Sequence, residues 1–176
     1  MKSPRRRSRE FALQALYQWQ LADQSWSEIE KQYADADGFA QADLGLFKTV
    51  VKGAMNNAAT LSEALAPHLD RPWVEVSPIE RSILLIGAYE LSFMVETPYR
   101  VIINEAIELA KSFGGTDGHK YVNGVLDKYA LAVRAEEVAA PYVVKTPAVN
   151  KAVKVPIVTK VTKVAKKVII TAKVKS

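Results

Sequence analysis

Ser77-Pro78-Ile79-Glu80-Arg81-Ser82-Ile83-Leu84-Leu85-Ile86-Gly87-Ala88-Tyr89-Glu90-Leu91 is the stretch from which the architecture reads most directly. It opens as a capping box. The Ser77 hydroxyl can accept from the Glu80 amide, the Glu80 carboxylate can reach back to the Ser77 amide, and a proline at the first helical position loses no hydrogen bond. Ile79, Ile83, Ile86 and the run Ala88 to Leu91 then give the helix a broad apolar face. It should stop near Val95, because Thr97-Pro98 disfavours helical backbone.

Working outward, a second helix is predicted from about Pro98 through Val101, Ile102, Ala106, Ile107, Leu109 and Ala110 to a stop at Gly114-Gly115. Thr116 or Asp117 can cap a last helix whose inner face holds Val122, Val125, Leu126 and Tyr129. Upstream, Ala12, Leu13, Ala15, Leu16 and Trp19 form one stripe of a helix from Arg5 to about Asp23. Ser25 caps a short helix from Trp26 to about Tyr33, and Asp35 to Gly38 reads as a break. Leu44, Phe47, Val51, Ala54, Met55, Ala58, Leu61 and Leu65 keep helical spacing over about six turns, from Asp43 to Ala66, with Pro67 marking the end. No alternating strand pattern precedes residue 140. The reading is an all-α bundle of about six or seven helices with short connections.

After Ala140 the composition changes. Residues 141–176 mix Lys, Val, Ala and Thr with three prolines, no glycine and no acid, and read as a low-complexity basic tail without a fold of its own. The domains expected are therefore 1–140, helical, and 141–176, a disordered tail.

The 176 residues carry a net charge of +5, unevenly spread. Residues 1–9 hold five basic residues and no acid, the tail holds nine lysines, and the body between them is net acidic. That asymmetry points to a polyanion bound near the basic ends. The chain lacks cysteine and has two histidines, which excludes a disulfide framework, a thiol nucleophile and a Cys-ligated metal. No cofactor motif, metal-ligand set or catalytic signature is found. Glu105 and Glu108 lie three apart on one helical face, but the Glu-x-x-His partners of a di-metal bundle are missing, so a solvated or salt-bridged face is expected. No apolar run spans a bilayer, and the glutamine-interrupted N-terminal region makes a poor signal peptide, so a cytoplasmic protein is expected.

Two clusters carry candidate chemistry. Arg5, Arg6, Arg7 and Arg9 sit at the positive end of a helix dipole, where cations cost stability; a phosphate-rich partner supplies the missing reason. The glycine-rich stretch Lys111 to Gly124 offers Lys111, His119 and Lys120 for backbone charge and Phe113 and Tyr121 for stacking on single-stranded bases. Taken singly, either ring belongs to the core more readily than to a stacking platform.

Three stretches, Arg5 to Trp19, Ser77 to Leu91, and Pro98 to Gly114 continuing through His119-Lys-Tyr-Val-Asn-Gly-Val-Leu-Asp-Lys128, resemble the bacterial transcription antitermination family NusB. The resemblance spans roughly residues 4 to 134. It implies two packed three-helix subdomains with an extra short helix, and no catalysis. It further implies a heterodimer with NusE, a small-subunit ribosomal protein, that binds boxA RNA of ribosomal RNA transcripts and joins the RNA polymerase antitermination complex. Some relatives form homodimers when alone. Carried over by motif, Arg5, Arg6, Arg7, Arg9, Lys111, Phe113, Asp117, His119, Lys120 and Tyr121 would face RNA. Tyr17 and Glu80 would face NusE, a basic partner for an acidic body. Gly118 stands where the family pattern leads one to expect serine, which should loosen the cap. The alternative readings are a helical scaffold for RNA or protein in ribosomal RNA maturation, and the appendage of a ribosomal RNA methyltransferase. The latter needs a cysteine-bearing catalytic domain and fits poorly.

Deleting 141–176, which lies outside the common pattern, should weaken binding to all RNAs and flatten its salt dependence without altering sequence preference. Filter binding across a salt series checks this; a change confined to boxA selectivity would contradict it.

Overall fold

The computed structural model describes residues 2–140, so the expectation of an unfolded tail lies outside the described residues. Among the described residues eight α-helices are formed: α1 Pro4–Ala22, α2 Trp26–Ala34, α3 Leu44–Asn56, α4 Ala58–Leu65, α5 Pro78–Phe93, α6 Tyr99–Phe113, α7 Gly118–Val133 and α8 Ala135–Ala139. Single 3-10 turns stand at Phe39–Gln41, Ala66–His68 and Trp73–Glu75, and no strand occurs among the described residues. The architecture is all-α: α1 to α3 and α5 to α7 make two three-helix units, with α4 and α8 as short additions. None of the described helices is long and apolar enough to cross a membrane.

Helix α5 joins the two units. It packs against α1, α3 and α4 on one side and α6 and α7 on the other, and every residue from Ser82 to Ala88 is buried. The broad apolar face read from its sequence is thus a helix enclosed nearly all round. Gly87 permits the closest approach: a Cβ there would lie 2.7 Å from Leu126 Cδ1 of α7. In the first unit Phe11, Tyr33, Phe39 and Phe47 form a ring cluster with centroids from 4.8 to 6.1 Å apart. Burial there pushes the Tyr33 hydroxyl up to about 12.

The single helix expected from Asp43 to Ala66 is broken at Asn57. Its side-chain Nδ2 donates to the Gly53 carbonyl at 2.7 Å, and its backbone N–H donates to the same oxygen at 3.1 Å. An asparagine that hydrogen-bonds its own preceding turn competes with helix propagation. At φ −111° and ψ 12° it ends α3 and begins α4. The apolar spacing continues across the break, which is why periodicity alone missed it.

Two arginines pin α5 by charge. Arg9 of α1 is 3% exposed and Glu90 of α5 is 1% exposed. The Arg9 guanidinium donates from Nε to Glu90 Oε2 at 2.9 Å and from Nη2 to Oε1 at 2.7 Å, a fork on a carboxylate. At the other end Arg134, between α7 and α8, donates to the carbonyls of Glu90, Leu91, Met94 and Thr97 at 2.7–2.9 Å. Those acceptors lie in the last turn of α5 and just beyond it, where most carbonyls lose their intrahelical donors; the Glu90 and Met94 carbonyls also accept from the Met94 and Thr97 amides at 3.0 Å. Glu137 of α8 in turn accepts from Arg134 Nη1 at 3.0 Å.

Arg9→Ala or Glu90→Ala alone should lower unfolding stability by roughly 3–5 kcal/mol, because each strands a buried charge. The double change Arg9→Met with Glu90→Leu should recover most of that loss. Urea unfolding followed by circular dichroism checks both; equal loss in the double variant would show that the stranded charge is not the cause.

Candidate nucleic-acid interface

Helix α1 begins at Pro4, with Ser3 as its cap; the Ser3 hydroxyl accepts from the Arg6 amide at 3.2 Å. The four arginines therefore all lie within the helix, and its pitch sends them different ways. Arg5 is exposed, and Arg6 and Arg7 are partly so. Arg7 Nη1 lies 3.4 Å from where a Cβ on Gly38 would stand, over a backbone of φ +76°. Arg9 points inward to Glu90. It leaves the solvent-facing set: its guanidinium is enclosed and committed to a carboxylate.

The second cluster is built on the turn between α6 and α7. Helix α6 stops at Gly114, whose N–H donates to the Ala110 carbonyl at 2.9 Å, and the Gly118 N–H closes the turn on the Gly115 carbonyl at 3.0 Å. Lys111 and Lys120 are exposed, His119 partly buried. Asp117 occupies the cap position of α7 but makes no side-chain capping bond, because its backbone (φ −110°, ψ 5°) is not the extended form that aims a cap at the next amides. Its carboxylate pairs instead with Lys120 Nζ at 2.8 Å, both groups more than 70% exposed.

Tyr121 is partly buried, and its hydroxyl is enclosed without a hydrogen-bond partner. Burial raises its pKa, with the Asp70 charge adding to the effect. The Arg71 guanidinium lies 4.9 Å from the ring centroid and also donates to Asp70 at 2.8 and 3.2 Å. One face of Tyr121 is therefore already covered by a cation. Sequence reasoning missed Arg71, which stands alone between Asp70 and Pro72 and carries no local signal.

Phe113 is not isolated on the turn. It lines an apolar groove of about 320 Å³ with Leu13, Tyr17, Tyr33 and Ile79, so Phe113 and Tyr17, assigned to different partners on sequence grounds, share one surface. Glu80 of α5 follows Ile79, which lines that groove. Its amide donates to Ser77 Oγ at 3.2 Å as expected, but its carboxylate accepts from the Ser77 hydroxyl at 2.9 Å and not from the amide. Glu80 Oε1 lies 3.0 Å from the position of a Cβ on Gly118, so the glycine lets the carboxylate sit against the start of α7.

The two basic stretches meet across α6. Arg6 donates to Glu105 at 3.2 and 3.4 Å, and its Nη2 lies 3.6 Å from Glu108 Oε2. Lys111 Nζ donates to Glu108 Oε1 at 3.0 Å. Glu108 thus takes a cation from each stretch, and Glu105 and Glu108 are salt-bridged as expected. Among the described residues no cluster of His, Asp or Glu is placed to hold a metal ion.

The sequence profile of the NusB family matches residues 6–131. Transcription antitermination proteins NusB of Burkholderia mallei and Burkholderia thailandensis are each 55% identical over 139 residues, covering 79% of this chain and 96% of theirs. Among solved structures, NusB of T. maritima superposes with a TM-score of 0.67 at 29% identity, covering 78% of this chain and 99% of that one. A chain of a complex of antitermination factors NusB and NusE with double-stranded RNA shares the fold at a TM-score of 0.61 and 22% identity, covering 72% of this chain and 96% of that one. With the profile match spanning well over half of its length and these relatives covered almost end to end, the chain belongs to the NusB family.

Proposed function

We propose that this chain is a transcription antitermination factor that binds boxA RNA together with NusE and, as part of the RNA polymerase complex in the cytoplasm, sustains transcription of ribosomal RNA. The observation that carries the reading is the convergence of Arg6 and Lys111, from the two basic stretches, on the single carboxylate of Glu108. Cations 105 positions apart in the chain are thereby gathered on one side of a helical body. The names of the relatives and the NusB–NusE–RNA complex among its structural neighbours support the same assignment.

In this reading Arg5, Arg6 and Arg7 meet phosphates and base edges at the start of α1. Lys111, His119 and Lys120 continue the track along the α6–α7 turn. Tyr121 offers the ring face that Arg71 leaves open to an unpaired base, and the Asp117 carboxylate accepts from a base amino group. Arg9 is a positioning residue: it fixes the start of α1 against α5 and thereby sets where its neighbours point. Tyr17, Phe113 and Glu80 would receive NusE, with an apolar groove for a side chain and a carboxylate for a basic partner.

Titration with boxA and scrambled RNA, each with and without NusE, tests the assignment. The tightest binding is expected for boxA with NusE, and equal affinity under all four conditions would overturn it. Charge reversal at Arg6 and Arg7 should weaken RNA binding and reduce the slope of log K against log salt by about 0.7 per lost phosphate contact, with helicity retained. Loss of helicity would make those two arginines structural.

A further inference from the structure

Not all the cations of the proposed RNA face are bare. Arg6 is held by Glu105 and Glu108, and Lys111 by Glu108. The two carboxylates differ in what else they do. Glu105 also lies 3.9 Å from Arg9 Nη1, so it leans on the buried Arg9–Glu90 pair and belongs partly to the core. Glu108 is 43% exposed, and among the described residues its Oε1 accepts from Lys111 while its Oε2 forms an ion pair with Arg6 at 3.6 Å. Its pKa is lowered, chiefly by the hydrogen bond and charge of Lys111 and further by Arg6, so it is ionised at neutral pH. An anion with two oxygens, set between a guanidinium and an ammonium, is placed as a backbone phosphate would be.

We propose that Glu108 is a built-in competitor for RNA phosphate, occupying the position between Arg6 and Lys111 in the free protein and lowering affinity for every RNA. The proposal rests on the RNA-binding reading above and adds a tuning residue to it. An exposed ion pair is easily exchanged, so Glu108 does not block the site. It acts in two ways. A phosphate arriving at Arg6 or Lys111 meets a like charge a few ångströms away. A Glu108 displaced from its partners also gathers a cation from solution, which offsets part of the counterion release that drives binding. The opposite effect, that Glu108 holds Arg6 and Lys111 in a productive arrangement, predicts the opposite sign for its removal. Arg6 does not depend on Glu108 for its position, because the Nε and Nη2 bonds to Glu105 remain.

The test compares the full chain with Glu108→Gln, and with Glu63→Gln as a control for net charge. Glu63 is exposed on α4 and has no ion pair among the described residues. The probe is a single-stranded boxA RNA and its scrambled version, titrated across a salt series. Glu108→Gln should tighten both RNAs by roughly three- to tenfold at low salt. It should also steepen the slope of log K against log salt by up to about 0.7, and Glu63→Gln should do neither to that extent. In an Arg6→Gln background the gain from Glu108→Gln should shrink, since one of the two cations it screens is gone. Weaker binding by Glu108→Gln would assign the residue to positioning and overturn the proposal, as would a gain no larger than that of Glu63→Gln. If the unaltered chain bound no RNA at all, the RNA-binding reading itself would fall; if it binds and Glu108→Gln matches it, only the competitor role falls.

Discussion

The buried fork between Arg9 and Glu90 is the constraint from which the rest of the molecule follows. An enclosed ion pair adds little net stability against an apolar pair of the same volume, but a mismatched half of it is costly. Its effect is to fix register. Helix α1 docks on α5 where the guanidinium meets the carboxylate, and that docking decides which of the neighbouring arginines reach solvent. The orientation of Arg5, Arg6 and Arg7 is thus a result of core packing as much as of local sequence. Glu105 extends the pair outward, touching both Arg9 and Arg6, so a line of alternating charge runs from the centre of the bundle to its surface.

The surface at the end of that line is balanced, not merely positive. The described body is rich in acid, and several of its exposed cations have a carboxylate within reach: Lys2 with Glu10, Arg6 and Lys111 with Glu108, Lys120 with Asp117, Arg71 with Asp70. For a polyanion-binding protein this arrangement limits indiscriminate attraction. Affinity then depends on several exchanges of carboxylate for phosphate in the right geometry, together with whatever the aromatic side chains and the partner protein contribute. Arg5 and Arg7 have no such internal partner among the described residues, which in the proposed RNA-binding reading makes them the readiest points of first contact.

Much of the fold was legible because its signals are local. Ser77-Pro78 and the following apolar residues announced α5; Ser25 and Gly114-Gly115 marked other ends correctly. What the chain concealed depends on distance. Four arginines in five positions look alike until the helix phase separates them and Glu90, 81 residues away, claims one. The break at Asn57 hid behind an uninterrupted apolar rhythm, since side-chain capture of a carbonyl leaves no mark on hydropathy. Arg71 and Arg134 were invisible for a related reason: each acts on a ring or on carbonyls that the fold brings to it. The two clusters of candidate residues were found from composition alone, but their meeting through Glu108 was not. Tyr17 and Phe113, read as separate, turned out to share a groove.

Arg134 has a consequence for where the helical body can be cut. Its donors satisfy carbonyls at the end of α5, yet it lies beyond the last residue of the family match, at a junction that looks peripheral. A shortened chain ending at Val133 would keep every helix that carries a fully buried residue and still lose the clamp that closes the central one. The α7–α8 junction therefore belongs to what closes the central helix, although α8 itself contributes no buried residue.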